Sequence, residues 1–276
     1  ETINMLPRLT KQAVKYIDSR ADQDKPFFLY LPLGSPHTPI VPSPEWQGKS
    51  GLGDYGDFVM QTDNVVGEVS SALKRNKMTD NTLVIFTSDN GPNTGDNLGR
   101  NQESGGLRGK KAKLWEGGIR IPFIVSWPAV LEGGRRNRSI VTLTDLYATL
   151  ARIVGHSLAP KEAHDSYDVF DYWKGSPEEP DTRPRVFFCH LGPPYLNDAL
   201  AIRQGPHKLI VDGGLAMPWG RSSADGSRGA ARPTVLYDLA KNVYEDGDSS
   251  AEPADKTANK LAATLRRKIV KMFDEV

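Results

Sequence analysis

The sequence contains a single cysteine, Cys189, among its 276 residues. One cysteine cannot form an internal disulfide, and it cannot build a zinc site that needs several cysteines. Cys189 ends the stretch Arg-Val-Phe-Phe-Cys, a pattern typical of a buried strand, so we interpret it as a packed and unreactive thiol. Disulfide scaffolds and cysteine-based zinc domains are therefore excluded.

The sequence also lacks an apolar run long enough to cross a bilayer, and it lacks a leader of the secretory type. It opens on Glu1 and leads almost at once into a predicted helix, which we interpret as the interior of a longer protein. The formal net charge is only +1, and the basic clusters are short, without interleaved aromatic residues. We expect no membrane span and no nucleic acid partner.

Helical and strand patterns alternate in the first part of the chain. Apolar spacing predicts helices at 9–20, 57–76 and 143–154, and continuous apolar runs predict buried strands at 26–33, 82–88 and 121–127. A strand, a helix and a strand in this order indicate a βαβ unit and hence a parallel sheet. We therefore expect an α/β fold with a parallel-type central sheet flanked by helices.

After residue 156 the pattern changes to closely spaced strands without helices between them. The predicted strands are at 184–191, 198–204, 207–211 and 234–238, and a helix is predicted at 257–273. This order indicates a small antiparallel sheet closed by a C-terminal helix. We expect two domains, the α/β portion over 1–156 and a smaller C-terminal subdomain over 157–276.

Chemically useful side chains follow the first two predicted strands. His37 follows the first, and Asp89 and Asn90 follow the second. If these strands are parallel, both loops lie at one edge of the sheet, where ligands bind in such folds. A glycine-rich basic loop with Arg108 and Lys111 precedes the third strand and can approach that edge.

These residue types fit one kind of chemistry. Asp89 and Asn90 offer hard oxygen ligands, which suit calcium or magnesium rather than zinc, although two ligands are too few to hold either ion. His37 can act as a hydrogen-bond donor or general acid near a leaving oxygen. Lys111 or Arg108 can place positive charge against a tetrahedral oxyanion.

Each of these residues also fits a simpler interpretation. Asp-Asn-Gly is a common turn sequence, and a histidine between prolines is commonly a solvated loop residue. The lysines near residue 111 fit a solvated basic loop, and Glu116 with Arg120 fits a local ion pair. The residues alone leave both interpretations open.

The loop sequences resemble those of the type I sulfatases of the alkaline-phosphatase superfamily. The resemblance is carried by Ser-Pro-His-Thr-Pro at 35–39, by Phe-Thr-Ser-Asp-Asn-Gly-Pro at 86–92 and by the stretch from Leu107 to Pro122 that includes Glu-Gly-Gly. It implies that Asp89 and Asn90 ligate Ca²⁺, with Mg²⁺ as the second choice. It further implies that His37 and Lys111 are catalytic residues that contact the sulfate ester. Arg108 stays a further substrate-binding candidate because of its charge and its place in the basic loop. The family usually has Gly-Lys-Gly where this chain has Lys110, Lys111 and Ala112.

The resemblance also shows what this sequence does not contain. Sulfatases use a formylglycine nucleophile made within a Cys/Ser-x-Pro/Ala-x-Arg motif, and no cysteine or serine here begins that motif. The remaining calcium ligands belong to an N-terminal part of the family pattern. We therefore expect a fragment that is inactive alone, whose partners are the missing N-terminal half of the same protein and a sulfated small molecule or glycan.

Two alternatives stay open on the sequence. One is a phosphomonoester or phosphonate hydrolase of the same superfamily, and the other is a catalytically silent sulfatase-like module that binds sulfated glycans. We expect the loops at 92–104 and 212–232 to set the specificity. The family alone favours a periplasmic or secreted location.

Overall fold

The computed structural model describes residues 2–93, 103–175, 183–189, 199–212, 235–245 and 256–274. These residues divide into two compact units. The first comprises Glu1–Phe86, Asn93–Glu103 and Phe123–Gly134, and the second comprises Thr87–Pro92, Ser104–Pro122 and Arg135–Val276. The predicted division at residue 156 stays a prediction.

The first unit packs helix α1 (Met5–Asp18) against helix α2 (Asp54–Arg75). Both helices were predicted from apolar spacing, and both begin a few residues earlier than predicted. Their buried side chains form two clusters. One contains Leu6, Phe58 and Val65, and the other contains Ile17, Ala72 and Leu73.

The structure corrects the prediction of a buried strand at 26–33. The structure assigns no strand there, so the first strand of the predicted βαβ unit is not formed among the described residues. Leu31 and Leu33 pack on one helix cluster, whereas Phe28 is 78% and Tyr30 76% exposed. The segment is covered on one face only, because the two helices pack on that face alone. The expectation of burial on both faces was wrong.

Two short strands, β1 (Val84–Thr87) and β2 (Phe123–Ser126), pair with each other at the predicted positions. The parallel direction of the central sheet stays a prediction. Three further helices follow in chain order: α3 (Glu116–Ile119), α4 (Asp145–Ile153) and α5 (Phe170–Trp173). Helix α4 confirms the helix predicted at 143–154.

The antiparallel sheet confirms the prediction for the C-terminal part. Its strands lie in sequence order and are β3 (Arg185–Cys189), β4 (Ala199–Gln204), β5 (His207–Asp212) and β6 (Val235–Asp238). Helix α6 (Lys256–Asp274) closes one face. The fully buried cluster on that face is Leu200, Ile202, Leu209, Val211, Leu265 and Ile269.

The opposite face of this sheet includes Arg203, Lys208 and Tyr237, because side chains alternate between the two faces of a strand. Arg203 and Lys208 are directly opposite each other in the β4–β5 register. Tyr237 on β6 is opposite Lys208 in the next pair. These three side chains therefore share one face, and all three contact the loop between residues 108 and 116.

Candidate functional site

The loop after β1 carries the two predicted metal ligands. Asp89 is exposed and Asn90 is half-buried. The Ser88 hydroxyl donates to the Asn90 carbonyl oxygen at 3.0 Å, and the Asn90 side-chain amide donates to the Gly91 carbonyl oxygen at 2.8 Å. The side-chain amide nitrogen of Asn90 is therefore used on the carbonyl of the following residue, and its amide oxygen takes part in no hydrogen bond among the residues that the structure describes.

This loop is joined directly to the loop that carries Lys111. The Lys111 backbone N–H donates to the Pro92 carbonyl oxygen at 2.8 Å. The Gly91 N–H donates to the Gly118 carbonyl oxygen at 2.9 Å. The predicted metal ligands and the predicted sulfate-binding lysine thus lie on two segments that the backbone holds together.

Glycine makes this close approach possible. A Cβ atom added at Gly91 would overlap the Gly117 carbonyl oxygen, and one added at Gly117 would lie 2.6 Å from three carbonyl oxygens. Such distances do not occur between real side chains and backbone. Glycine is required at these positions because of the packing of backbone against backbone.

Arg108 faces the antiparallel sheet. Its guanidinium donates to the Glu245 carbonyl oxygen at 2.9 Å, lies 3.4 Å from the Tyr237 hydroxyl and stacks on the Trp115 ring at 4.3 Å. These contacts anchor the side chain within the second unit. Its predicted contact with substrate stays a prediction.

His37 lies in the first unit, in the exposed loop after the extended segment. Its backbone N–H donates to the Gly34 carbonyl oxygen at 3.1 Å, and its Nδ1 lies 2.7 Å from the Thr38 carbonyl oxygen. A carbonyl can only accept, so Nδ1 carries the proton in this contact. The Thr62 hydroxyl donates to the Ser35 hydroxyl at 2.8 Å, which ties this loop to α2.

Sequence reasoning missed the most buried charges of the second unit. Glu116, Lys208 and Glu245 are each 0% exposed, and they form one ion-pair cluster. The local pair expected between Glu116 and Arg120 is long, at 4.0 Å. Burial raises the pKa of the Glu245 carboxyl above its usual range, and the Lys208 ammonium opposes that rise. The sequence feature that could have revealed this cluster is Lys208, a charged residue within the largely apolar strand β5.

Within the ranges that the structure describes, no group of three or more His, Cys, Asp or Glu residues could hold a metal ion. The same part of the chain contains no helix with the length and apolarity needed to cross a membrane. The Cys189 side chain and most of the two loops predicted to set specificity lie outside the described residues.

Solved structures share this fold over nearly the whole chain. One is a Bacteroides thetaiotaomicron structure that concerns the metabolism of multiple glycosaminoglycans. The match covers 99% of this chain and 55% of that chain, with a TM-score of 0.78 and 29% identity. Ps i-CgsB in complex with k-i-k-neocarrahexaose matches 97% of this chain and 54% of its own, with a TM-score of 0.78 and 25% identity. The fold is that of the alkaline-phosphatase-like sulfatases.

The sequence comparisons identify the family. The family model described as Sulfatase matches residues 7–156. The N-acetylgalactosamine-6-O-sulfatase of Bacteroides thetaiotaomicron is 34% identical over 247 residues, 86% of this chain and 46% of the relative. Human arylsulfatase A is 32% identical over 256 residues, 90% of this chain and 49% of the relative. The chain belongs to the sulfatase family, and it spans about half the length of these curated relatives.

Proposed function

We propose that this chain carries the calcium-binding and sulfate-positioning part of a sulfatase that hydrolyses an aryl or carbohydrate sulfate ester. One observation carries the proposal: the Asp89–Asn90 loop and the Lys111 loop are joined by backbone hydrogen bonds. An ion and a tetrahedral anion must lie close together in such a site, and this junction places their predicted ligands on adjoining segments.

Asp89 and Asn90 fit part of a Ca²⁺ site. They supply one carboxylate and one amide oxygen, both of which are hard ligands of the kind that Ca²⁺ prefers. The Asp89 carboxylate is exposed, and the Asn90 amide nitrogen is already used in a bond to Gly91. When bound, the ion would neutralise negative charge on the sulfate group. Mg²⁺ would need stricter octahedral geometry, so it is our second choice.

Lys111 is the residue that we assign to the sulfate oxygens. A positive charge can stabilise the negative charge that develops on the sulfate oxygens, and the Lys111 backbone is held next to the Asp89–Asn90 loop by its bond to Pro92. For His37, the assignment to the bridging oxygen rests on the family pattern alone. Because Nδ1–H is used on the Thr38 carbonyl oxygen, Nε2 is the ring nitrogen that we assign to the bridging oxygen, and it can donate there only in the imidazolium form, in which both ring nitrogens carry a proton.

We further propose that the nucleophile and the remaining calcium ligands come from a part of the family pattern that this sequence does not contain. No formylglycine motif occurs within the 276 residues. Covalent catalysis requires a nucleophile, so we assign the nucleophile to that other part. A carbohydrate sulfate is favoured as substrate by the N-acetylgalactosamine-6-O-sulfatase relative. The periplasmic or secreted location rests on the family alone.

Calorimetric titration of the chain with Ca²⁺ tests the metal assignment. We expect weak binding that Asp89→Ala removes, because Asp89 is the one carboxylate of the pair. Asp80→Ala is the matched control, since Asp80 is also an exposed aspartate but precedes β1 instead of following it. Equal Ca²⁺ binding by the Asp89→Ala and Asp80→Ala variants would reject the assignment.

A further inference from the structure

The second unit buries a cluster of three charged side chains that the proposed reaction does not use. Glu116, Lys208 and Glu245 are each 0% exposed. Moving charges out of water is costly, and a buried ion cluster is poor evidence of added stability. Added stability therefore does not explain why these charges are buried. The contacts of the three side chains suggest a structural role instead.

The Glu116 carboxylate bridges two cations of the antiparallel sheet. Its Oε1 lies 3.0 Å from Lys208 Nζ, and its Oε2 lies 3.0 Å from an Arg203 guanidinium nitrogen. Arg203 and Lys208 are directly opposite each other on β4 and β5. Like charges in such a pair repel each other. A carboxylate that accepts from both removes the repulsion and fixes α3 against the sheet.

A second carboxylate closes the cluster. Glu245 Oε1 lies 2.6 Å from Lys208 Nζ, and Glu245 Oε2 accepts the Glu116 backbone N–H at 2.6 Å. Lys208 Nζ also donates to the Leu114 carbonyl oxygen at 2.9 Å. The ammonium group therefore has three oxygen partners, and the backbone at 114–116 is held on both sides of Trp115.

The same turn continues directly into the proposed site. Gly118 lies two residues after Glu116, and its carbonyl oxygen accepts the Gly91 N–H at 2.9 Å. The Gly117 N–H donates to the Arg108 carbonyl oxygen at 2.7 Å, at the start of the Lys111 loop. Any displacement of Glu116 would thus move the segments that carry Asp89, Asn90 and Lys111.

We propose that Glu116 is a positioning residue. Held by Arg203 and Lys208, it sets the spacing between the Asp89–Asn90 pair and Lys111 through the glycine turn. The functional part of this inference rests on the proposed function, whereas its structural part does not. It assigns the antiparallel sheet a role in the site although none of its side chains is assigned to the metal or to the sulfate.

Hydrogen exchange of the intact chain, followed by mass spectrometry, tests the structural part. In Glu116→Gln we expect the amides of Gly91 and Lys111 to exchange about tenfold faster, because their acceptors lose their support. Asp145→Asn is the matched control, since Asp145 is 0% exposed and pairs with the buried Arg185 in the same unit. It should lower the melting temperature while leaving exchange at Gly91 and Lys111 unchanged.

Ca²⁺ titration of the same variants tests the functional part. Supporting residues around metal ligands are typically worth about ten- to a hundredfold in affinity, so Glu116→Gln should bind Ca²⁺ weaker by that factor and Asp145→Asn should not. Arg203→Gln removes one of the two cations that bind the Glu116 carboxylate. It replaces Glu116→Gln as the test variant if Glu116→Gln fails to fold. Unchanged exchange at Gly91 and Lys111 in the variant that folds overturns the inference. If Glu116→Gln exchanges faster at Gly91 and Lys111 but the wild-type chain binds no Ca²⁺, the structural part of the inference holds and only the proposed function is rejected.

Discussion

Asp57, at the start of α2, organises the loop that precedes this helix. Its two carboxylate oxygens accept the backbone N–H groups of Gly48 and Ser50 at 2.6 and 2.7 Å. Hydrogen bonds from Ser50, and then from the backbone at 48–49, hold the pKa of the Asp57 carboxyl below its usual range. The negative charge also lies in the first turn of the helix, where the helix dipole favours it.

The low pKa of Asp57 has a defined effect on acid stability. The folded state binds this proton less tightly than the unfolded state does, so the stabilisation is present above the ordinary aspartate pKa of about 3.9. It is lost as the pH falls through the lower folded-state value. We expect Asp57→Asn to lower the melting temperature at pH 7, and we expect its difference from the wild type to narrow as the pH falls below about 4.

Melting curves between pH 3 and pH 7 would measure this convergence. Asp63→Asn is the control, because Asp63 is an exposed residue of the same helix, and it should follow the wild type at every pH. A constant gap between Asp57→Asn and the wild type across the range would show that the charge of Asp57 is not what matters.

At the scale of elements, the contact between the Gly91 loop and α3 is made by backbone alone. A side chain at Gly91 would have to displace the carbonyl oxygen of Gly117. The neighbouring Gly91–Gly118 hydrogen bond would be strained at the same time. The two segments therefore tolerate no added atom at this contact.

We expect Gly91→Ala to lower the free energy of unfolding by about 1–3 kcal/mol, the usual cost of overpacking. Gly67→Ala is the matched control, because Gly67 lies within α2 and a Cβ there would meet nothing within 4 Å. That change should stabilise the protein by about 0.5–1 kcal/mol, since alanine favours a helix. Urea denaturation of both variants compares them, and equal effects would refute the crowding argument.

Elements governed by local pattern could be predicted from the sequence. The spacing of apolar residues was sufficient for α2, and the short connections between strands were sufficient for the antiparallel order of β3–β6. The segment at 26–33 could not be predicted, because pairing of a strand depends on a partner elsewhere in the chain. Phe28 and Tyr30 are as apolar as their buried neighbours, so composition does not reveal which face is covered.

The candidate site was predictable only in part for the same reason. Asp89 and Asn90 were singled out because they follow a recognisable strand, whereas Lys111 was preferred to its neighbours through the family resemblance. Their roles in the site stay predictions. The pairing of Glu116 with Arg203 and Lys208 was not predicted, because these partners are 87 and 92 residues away. No local pattern links residues at that separation, and the nearby Arg120 suggested a different ion pair.

At the scale of the molecule, the chain matches sulfatases about twice its length. Its exposed Phe28 and Tyr30 lie on the uncovered face of an extended apolar segment. Together these observations support the proposal that a further part of the sulfatase pattern completes the catalytic domain.

We therefore expect the chain alone not to hydrolyse an aryl sulfate at a rate above that of its Asp89→Ala variant, with Ca²⁺ present. The physical reason is that the sequence contains no formylglycine motif and that the two proposed ligands would hold Ca²⁺ only weakly. Release of the phenol product, followed by absorbance, measures the rate. Turnover that Asp89→Ala abolishes would show that the chain has a complete catalytic site.

The closed cluster of Glu116, Arg203, Lys208 and Glu245 also constrains how this sequence can diverge. Loss of one member leaves another charge buried without its partner, so single changes at these positions should be selected against. Related sequences are therefore expected to vary at the four positions jointly, with a neutral residue in place of Lys208 accompanied by a neutral residue at 116 or 245. Co-variation of this kind would indicate the ion-pair cluster from related sequences alone, without a structure.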